Sequence, residues 1–407
     1  MTQPGAKTPF VAIACGGTGG HLFPGLAVAG QLNQRGCRTA LLISPKEIDQ
    51  QAVKSAQGME IFILPAVGLQ NRNYFSFTGS FLKSLFTARK IFRRCRPAAV
   101  LAMGGFTSAP PIFVAKELGA KTFLHESNTI PGRANRFLAR FVNEAFVGFP
   151  GTASRLRAGK ITHTGTPVRS QFSVGRGPVG PRLRQCRLAL GLDPDRPTIL
   201  VMGGSQGASG INEIILAALP GLADRQSTWQ WLHLTGAAHF EPVKRAYAER
   251  GLQAVVRPFL ADMELALGAA TLAVSRAGAS SLAEIAAMRL PTLLVPFPAA
   301  ADNHQFHNAR AFEITGAARL LEQQKAAPER VAVILRELAE NEATRISMQT
   351  ALEQWHSPKA AEQIAENILK AVFRSADSLS APSKQDVLLQ TGRPRSGEPK
   401  QEQVGAA

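Results

Sequence analysis

Apolar and polar positions along this chain follow a repeating rhythm. Short continuous apolar runs end in glycine or small polar residues and lead into stretches with helical spacing. Phe10 to Ala14 predicts a strand, Pro24 to Arg35 a helix closed by Gly36, and Arg38 to Ile43 the next strand. The βαβ pattern returns at Ala98 to Met103 before "GGFTSAP" and at Thr122 to His125 before "ESN". A Gly-, Pro- and Arg-rich stretch near residues 165–185 interrupts it. It begins again with "PTILVMGGSQGASGINEIILAAL" from Pro197, then "TLAVSRAGASSLAEIAAM" and "PTLLVPFPAAADNHQFHNA". Two such series predict an α/β chain of two Rossmann-like, doubly wound parallel-sheet domains, residues 1–164 and 165–356. A helix near 357–373 can pack back on the first domain, and 375–407, rich in Ser, Pro, Gly, Gln and charge, reads as a disordered tail.

Composition agrees with this picture and adds a partner class. A chain of 407 residues, 45% hydrophobic, can fill two ordinary cores. Its four cysteines are widely spaced without CxxC pairs, which fits a reducing compartment and no zinc framework. No apolar run reaches the roughly 20 residues that span a bilayer, and the first nine residues do not form a signal peptide. The net charge of +17 is the unusual value. Its blocks form no nucleic-acid module, so no nucleic-acid partner is expected; Asp and Glu are absent from Ile61 to Lys116 and from Ala145 to Leu192, so an anionic surface is expected to face those segments.

Glycine loops after strands are suited to phosphate, because a bare backbone approaches an anion closely and the following helix offers its amino-terminal amides. "GGTGGHLF" is neither common type: the sixth position from Gly17 is Leu22 where a dinucleotide fingerprint needs glycine, and no Lys-Ser or Lys-Thr follows as in a P-loop. One such loop could be a structural turn; two matched loops, the second in "MGGSQGASG", point to phosphate.

The ordered motifs "GGTGGHLFPGLAVA", "GGFTSAPP", "HESNTIPGRANR", "GTPVR", "MGGSQGASGINE", "SRAGASSLAEIAA" and "PTLLVPFP" with "DNHQFHNA" resemble a family of GT-B nucleotide-sugar transferases, the UDP-N-acetylglucosamine:muramyl-pentapeptide pyrophosphoryl-undecaprenol N-acetylglucosaminyltransferases of peptidoglycan synthesis. The resemblance runs from about Pro9 to Phe373; Cys15 and Ser127 stand where the family commonly has Gly and Gln. It implies two domains facing a central cleft, and inverting transfer of GlcNAc from UDP-GlcNAc to the MurNAc 4-hydroxyl of the undecaprenyl-linked muramyl-pentapeptide. It also implies a peripheral location on the cytoplasmic face of the bacterial plasma membrane, with cell-wall synthesis and division proteins as further partners. A UDP-GlcNAc 2-epimerase is the alternative of the same fold, and a non-catalytic nucleotide-binding scaffold the alternative outside enzymes.

Inversion needs one base and a means of stabilising the departing diphosphate. His21 is the candidate base, from its near-neutral pKa and its place at the carboxyl end of a strand; orienting the acceptor diphosphate or capping the helix are its other readings. By resemblance, Gly16, Gly17, Thr18, Gly19 and Gly20 take the acceptor diphosphate, the last three also touching donor. Ser205, with Gln206 and Gly207, and Arg169 take the UDP diphosphate. Residues Ala279, Ser280, Ser281, Leu282, Ala283 and Glu284 line the donor site, with Glu284, early in its helix, on the ribose hydroxyls. Asn128 and Gln305 serve the sugar, and the Leu260 backbone the uracil.

No cofactor or metal is expected: "DPD" at Asp193 to Asp195 precedes a strand and so lies at the wrong end of a sheet, and His304 and His307 lack further ligands. In "NYFSFTGSFLKSLFTARKIFRRCRP", Phe81, Leu85, Ala88 and Phe92 form one helical stripe beside Leu82 and Phe86. Phe81, Lys83, Leu85, Phe86, Arg89 and Lys90 are expected to face the anionic inner leaflet, although sheet cover alone would also require an apolar stripe.

Overall fold

The computed structural model describes residues 8–17, 19–46, 59–65, 74–173, 181–204, 207–225 and 227–380. Two parallel sheets form. In the first, β1 (Phe10–Ala14), β2 (Arg38–Ile43), β3 (Glu60–Ile63), β4 (Ala99–Ala102), β5 (Lys121–Glu126), β6 (Glu144–Val147) and β7 (Ile161–His163) lie in the order β3-β2-β1-β4-β5-β6-β7. In the second, β8 (Thr198–Met202), β9 (Gln230–Leu234), β10 (Ala254–Arg257), β11 (Leu272–Ser275), β12 (Thr292–Leu294) and β13 (Arg319–Leu320) lie in the order β10-β9-β8-β11-β12-β13. Both orders reverse beside the first strand of the series, between β1 and β4 and between β8 and β11, and α/β ligand crevices open at such points.

The central strands are covered on both faces, which is why they read as unbroken apolar runs. Val11 and Ile13 pack with the helices Gly19–Gln34 and Ala360–Ser380, while Ala12 and Ala14 face the side covered by the helix Tyr74–Cys95. The last helix inserts Ile364, Ala365 and Ile368 into the first domain's core, and Arg35 pairs with Glu362 at 3.0 Å. That helix continues to Ser380, so residue 375, the expected start of the tail, falls inside it; residues 381–407 lie outside the described part. The first helix also differs from expectation. It begins at Gly19, five residues before Pro24, because Gly16 and Gly17 already make the turn, Gly17 at φ +113°; Pro24 sits inside the helix and forgoes one early hydrogen bond.

Candidate active site

The two reversal points bring together four loops. After β1, Gly16 lies so close to β2 that a Cβ would come within 2.3 Å of Ser44 N, and Thr107 Oγ1, in the loop after β4, donates to Gly16 O at 2.8 Å. That second loop encloses His21. A Cβ on Gly104 would lie 2.8 Å from His21 Cε1, and one on Gly105 3.2 Å from Cδ2; both glycines have positive φ, +111° and +79°. The imidazole therefore occupies a slot that only this glycine pair leaves open. Gly104→Ala is expected to lower turnover about 10- to 100-fold by displacing the ring, with donor affinity retained. Steady-state kinetics beside donor calorimetry checks this, and a fully active variant would show that the ring's position is unimportant.

In the second domain the matching loop is equally tight. Gly207 has φ +76°, and a Cβ there would lie 2.5 Å from Thr235 O. The helix Ser209–Ala218 follows, and after β11 the helix Ala279–Met288 follows Gly278; among the described residues neither has a side-chain cap. Ala279, Ser280, Ser281 and Ala283 lie on this amino-terminal segment; Leu282 is buried, so that position offers its main chain alone. Leu260 is likewise a core residue that can present only backbone. Thr18, Ser205 and Gln206 lie outside the described residues.

Glu284 is the sixth residue of its helix, on the second turn, and no acid occupies the first turn. A dipole-complementing role at the helix start is thereby removed. Burial pushes its carboxyl up to about 7, opposed by Arg169 and assisted by Glu264, whose Oε2 is itself buried without a hydrogen bond among the described residues. Arg169 is held between two rings, its guanidinium carbon 4.4 Å from the Phe23 centroid and 5.1 Å from that of Phe172. A charged hinge residue is thus fixed between the first helix and the donor half.

Asn128 sits at the seam between the domains. Its Nδ2 donates to Glu126 Oε1 at 3.0 Å and its Oδ1 accepts from Asn308 Nδ2 at 3.0 Å. Asn308 also accepts from Thr129 N and Oγ1, both at 2.9 Å, and Arg133 and Arg136 reach Asp302 across the same seam at 3.2 and 2.8 Å. Gln305 uses its Oε1 to accept from Phe297 N at 3.0 Å and Ala277 N at 3.3 Å. Sequence reading passed over Glu126, Asn308 and Arg276. Buried Glu126 accepts four hydrogen bonds that shape the 127–135 loop, and Arg276 ties Val295 O and Pro296 O, both at 3.0 Å, to Gln323. Their motifs, "HESN", "DNHQFHNA" and "SRAG", were visible, but the partners of Asn308 and Arg276 lie too far along the chain for spacing to reveal.

The remaining expected features also have places. Asp193 accepts from Asp195 N at 2.9 Å and pairs with Arg196 at 3.1 Å, forming a turn before β8 at the amino end of its sheet. His304 Nδ1 faces Ala301 O at 2.8 Å. On the helix Tyr74–Cys95, Leu82 and Phe86 are the outward apolar residues, 51% and 65% exposed, with Lys83, Lys90, Arg93 and Arg94 exposed near them. Leu85 is a correction: it packs against the first-domain core with Ala88 and Phe92, because the apolar band is wide enough that part of it must cover the sheet. Phe81 is half-buried, and Arg89 pairs with Glu117.

Two doubly wound parallel sheets, each with a glycine loop at a helix start, define the GT-B fold of nucleotide-sugar enzymes. The glycosyltransferase family 28 N-terminal domain matches residues 11–147 and its C-terminal domain residues 198–398. A UDP-N-acetylglucosamine–N-acetylmuramyl-(pentapeptide) pyrophosphoryl-undecaprenol N-acetylglucosamine transferase of Anaeromyxobacter sp. (strain Fw109-5) is 36% identical over 89% of this chain and 93% of its own. One of Xylella fastidiosa (strain Temecula1) is 38% identical over 88% and 96%. The crystal structure of Acinetobacter baumannii MurG matches with TM-score 0.69 and 28% identity over 89% of this chain and 99% of that one. A Neisseria meningitidis UDP-GlcNAc 2-epimerase shares the fold, with TM-score 0.66 at 15% identity over 89% of this chain and all of the other. The chain belongs to glycosyltransferase family 28, in its MurG family of N-acetylglucosamine transferases.

Proposed function

We propose that this protein transfers GlcNAc from UDP-GlcNAc to the MurNAc 4-hydroxyl of undecaprenyl-pyrophosphoryl-MurNAc-pentapeptide, converting lipid I to lipid II with inversion. The observation that carries this reading is a glycine loop at each reversal point, with His21 in the slot beside the first and the Glu284 carboxyl on the helix Ala279–Met288 coupled to Arg169, which lies over Phe23 of the first helix. The epimerase neighbours share only the fold, whereas relatives at 36% and 38% identity across nearly the whole chain carry the transferase name. In the proposed reaction His21 Nε2 takes the proton from the 4-hydroxyl, whose oxygen bonds to the sugar's anomeric carbon as the bond to the UDP oxygen breaks. UDP leaves with that electron pair, its charge met by the amides of the second glycine loop and by Arg169. The imidazolium then loses its proton to solvent. Glu284 accepts from the ribose hydroxyls, Asn128 and Gln305 meet the sugar, and the Leu260 main chain reads the uracil. No step in this scheme calls for a metal. Incubation with labelled UDP-GlcNAc and the lipid-linked acceptor tests the reading: label should enter the lipid fraction, and free epimerised sugar without transfer would overturn it.

The acceptor's lipid brings the exposed basic and aromatic face of the helix Tyr74–Cys95 into use. Among the described residues no helix is long and apolar enough to cross a membrane. From the lipid-linked acceptor and this basic face we place the chain peripherally on the cytoplasmic leaflet. Leu82 and Phe86 enter the interface and Lys83, Lys90, Arg93 and Arg94 meet anionic headgroups, each cation contributing on the order of 1 kcal/mol. Phe137, 49% exposed and 6.2 Å from Phe113, continues the surface. Phe86→Ser combined with Leu82→Ser should reduce partition onto anionic vesicles about tenfold or more, since each buried side chain contributes about 1.5–3 kcal/mol. Sedimentation with vesicles measures this, and unchanged partition would place the membrane contact elsewhere.

A further inference from the structure

Asn135 holds a buried side-chain oxygen that takes no hydrogen bond among the described residues. It lies in the helix Arg133–Leu138 and is 3% exposed. Its Nδ2 donates to Glu126 Oε2 at 2.8 Å and to His125 O at 3.3 Å. Turning the amide over would set its oxygen against those two oxygens, so the direction of Oδ1 is fixed. Among the described residues that oxygen is buried without a hydrogen bond, a condition that costs about 1–3 kcal/mol unless something answers it. Gly104 shows what lies opposite. A Cβ there would stand 3.2 Å from Asn135 Nδ2 and 3.1 Å from His21 Nδ1, so amide and imidazole border one glycine-sized space.

We infer that Asn135 is the positioning residue for His21: its Oδ1 accepts the imidazole Nδ1–H, which leaves the Nε2 lone pair to take the hydroxyl proton. The inference rests on the reading of His21 as the base and adds the group that selects its tautomer. Hydrogen bonds of this kind are commonly loose before substrate arrives. Glu126 supports the arrangement from behind, since the carboxylate that fixes the Asn135 amide also receives Gly132 N at 2.9 Å and the Asn128 backbone at 2.8 Å. When Nε2 becomes protonated, the new positive charge remains on a ring whose Nδ1–H points toward that acidic cluster. Among the described residues, His125 interacts electrostatically with His21, while Lys46 and Arg169 lie on the flanking loop and helix. His125 donates from Nε2 to Gly165 O at 3.0 Å, and burial pushes its pKa down to about 4, so it adds no competing cation near neutral pH. Lys46 reaches Gly17 O at 3.2 Å, and Arg169 lies over Phe23.

The test is nitrogen NMR of histidine-labelled full-length protein, with the His21 signals identified by their loss in His21→Ala. In the wild type above pH 8 the expected state has hydrogen on Nδ1 and none on Nε2. Asn135→Ala should move the ring toward the Nε2–H tautomer, lower kcat about 10- to 100-fold, shift the acidic limb of the pH profile and leave the donor Kd and acceptor KM nearly unchanged. A wild-type ring with hydrogen on Nε2 would overturn the inference without any variant, as would a folded Asn135→Ala protein whose His21 signals do not move. If His21→Ala keeps full turnover while the tautomer still follows Asn135, the base reading fails and the positioning contact stands.

Discussion

Replacing His21 by alanine is expected to lower turnover on the lipid-linked acceptor by about 10² to 10⁴ while leaving UDP-GlcNAc affinity within about twofold. The separation follows from where the ring sits. His21 is the third residue of the helix Gly19–Gln34, in the first domain, enclosed by Gly104 and Gly105. The groups assigned to the donor lie chiefly beyond the hinge, on the second glycine loop and the helix Ala279–Met288. Loss of the imidazole thus removes a proton acceptor and no donor contact of comparable strength. The pH profile should carry the same signature. In the wild type the acidic limb marks protonation of the neutral ring, and it should vanish from the variant's residual activity. Stopped-time assays across pH with both proteins check it; near-normal turnover with the limb intact would assign the proton to another group.

Glu284→Ala should produce the second large effect, weakening UDP-GlcNAc by about 1–3 kcal/mol because two ribose hydroxyls lose a buried charged acceptor. The raised carboxyl pKa gives this prediction a sign in pH. A group held near 7 in the folded protein against about 4.5 ordinarily binds more protons folded than unfolded between those values. Its contribution to stability therefore falls as pH rises from about 4.5 to 7 and stays low above 7. Donor affinity should run the opposite way and strengthen as pH rises through 7, since the ionised form is the better acceptor. Glu284→Gln should consequently melt higher than the wild type at pH 8, with a smaller gain at pH 5, while binding donor more weakly at pH 8. Calorimetry and thermal melts over that range measure both, and pH-independent donor binding in the wild type would remove Glu284 from the ribose.

Much of this site was legible because its backbone logic is local. A strand covered on both faces must be apolar throughout, and a sharp turn into a helix needs glycine, so "FVAIACGGTGG" and "TILVMGGSQGASG" announce the two loops without any long-range information. What spacing could not supply were contacts between residues far apart in sequence. Arg169 between Phe23 and Phe172, Asn128 on Asn308, and the Glu126 cluster depend on how the domains meet. The helix start at Gly19 was obscured by Pro24, which reads as a first-turn residue yet lies deeper. On the helix Tyr74–Cys95 the periodicity identified an apolar band but could not divide it: Leu85 turned inward to the sheet and Leu82 outward.

The central claim is that a single base and two diphosphate-binding loops carry out direct displacement at the anomeric carbon. The measurement that addresses it most directly is the linkage formed on the lipid acceptor from UDP-α-GlcNAc, read from the proton coupling at the anomeric carbon of the purified product. A β-linked GlcNAc-MurNAc lipid, formed about 10² to 10⁴ times more slowly by His21→Ala, is the predicted result. An α-linked product would require retention and a different chemistry at this cleft, and it would contradict the account.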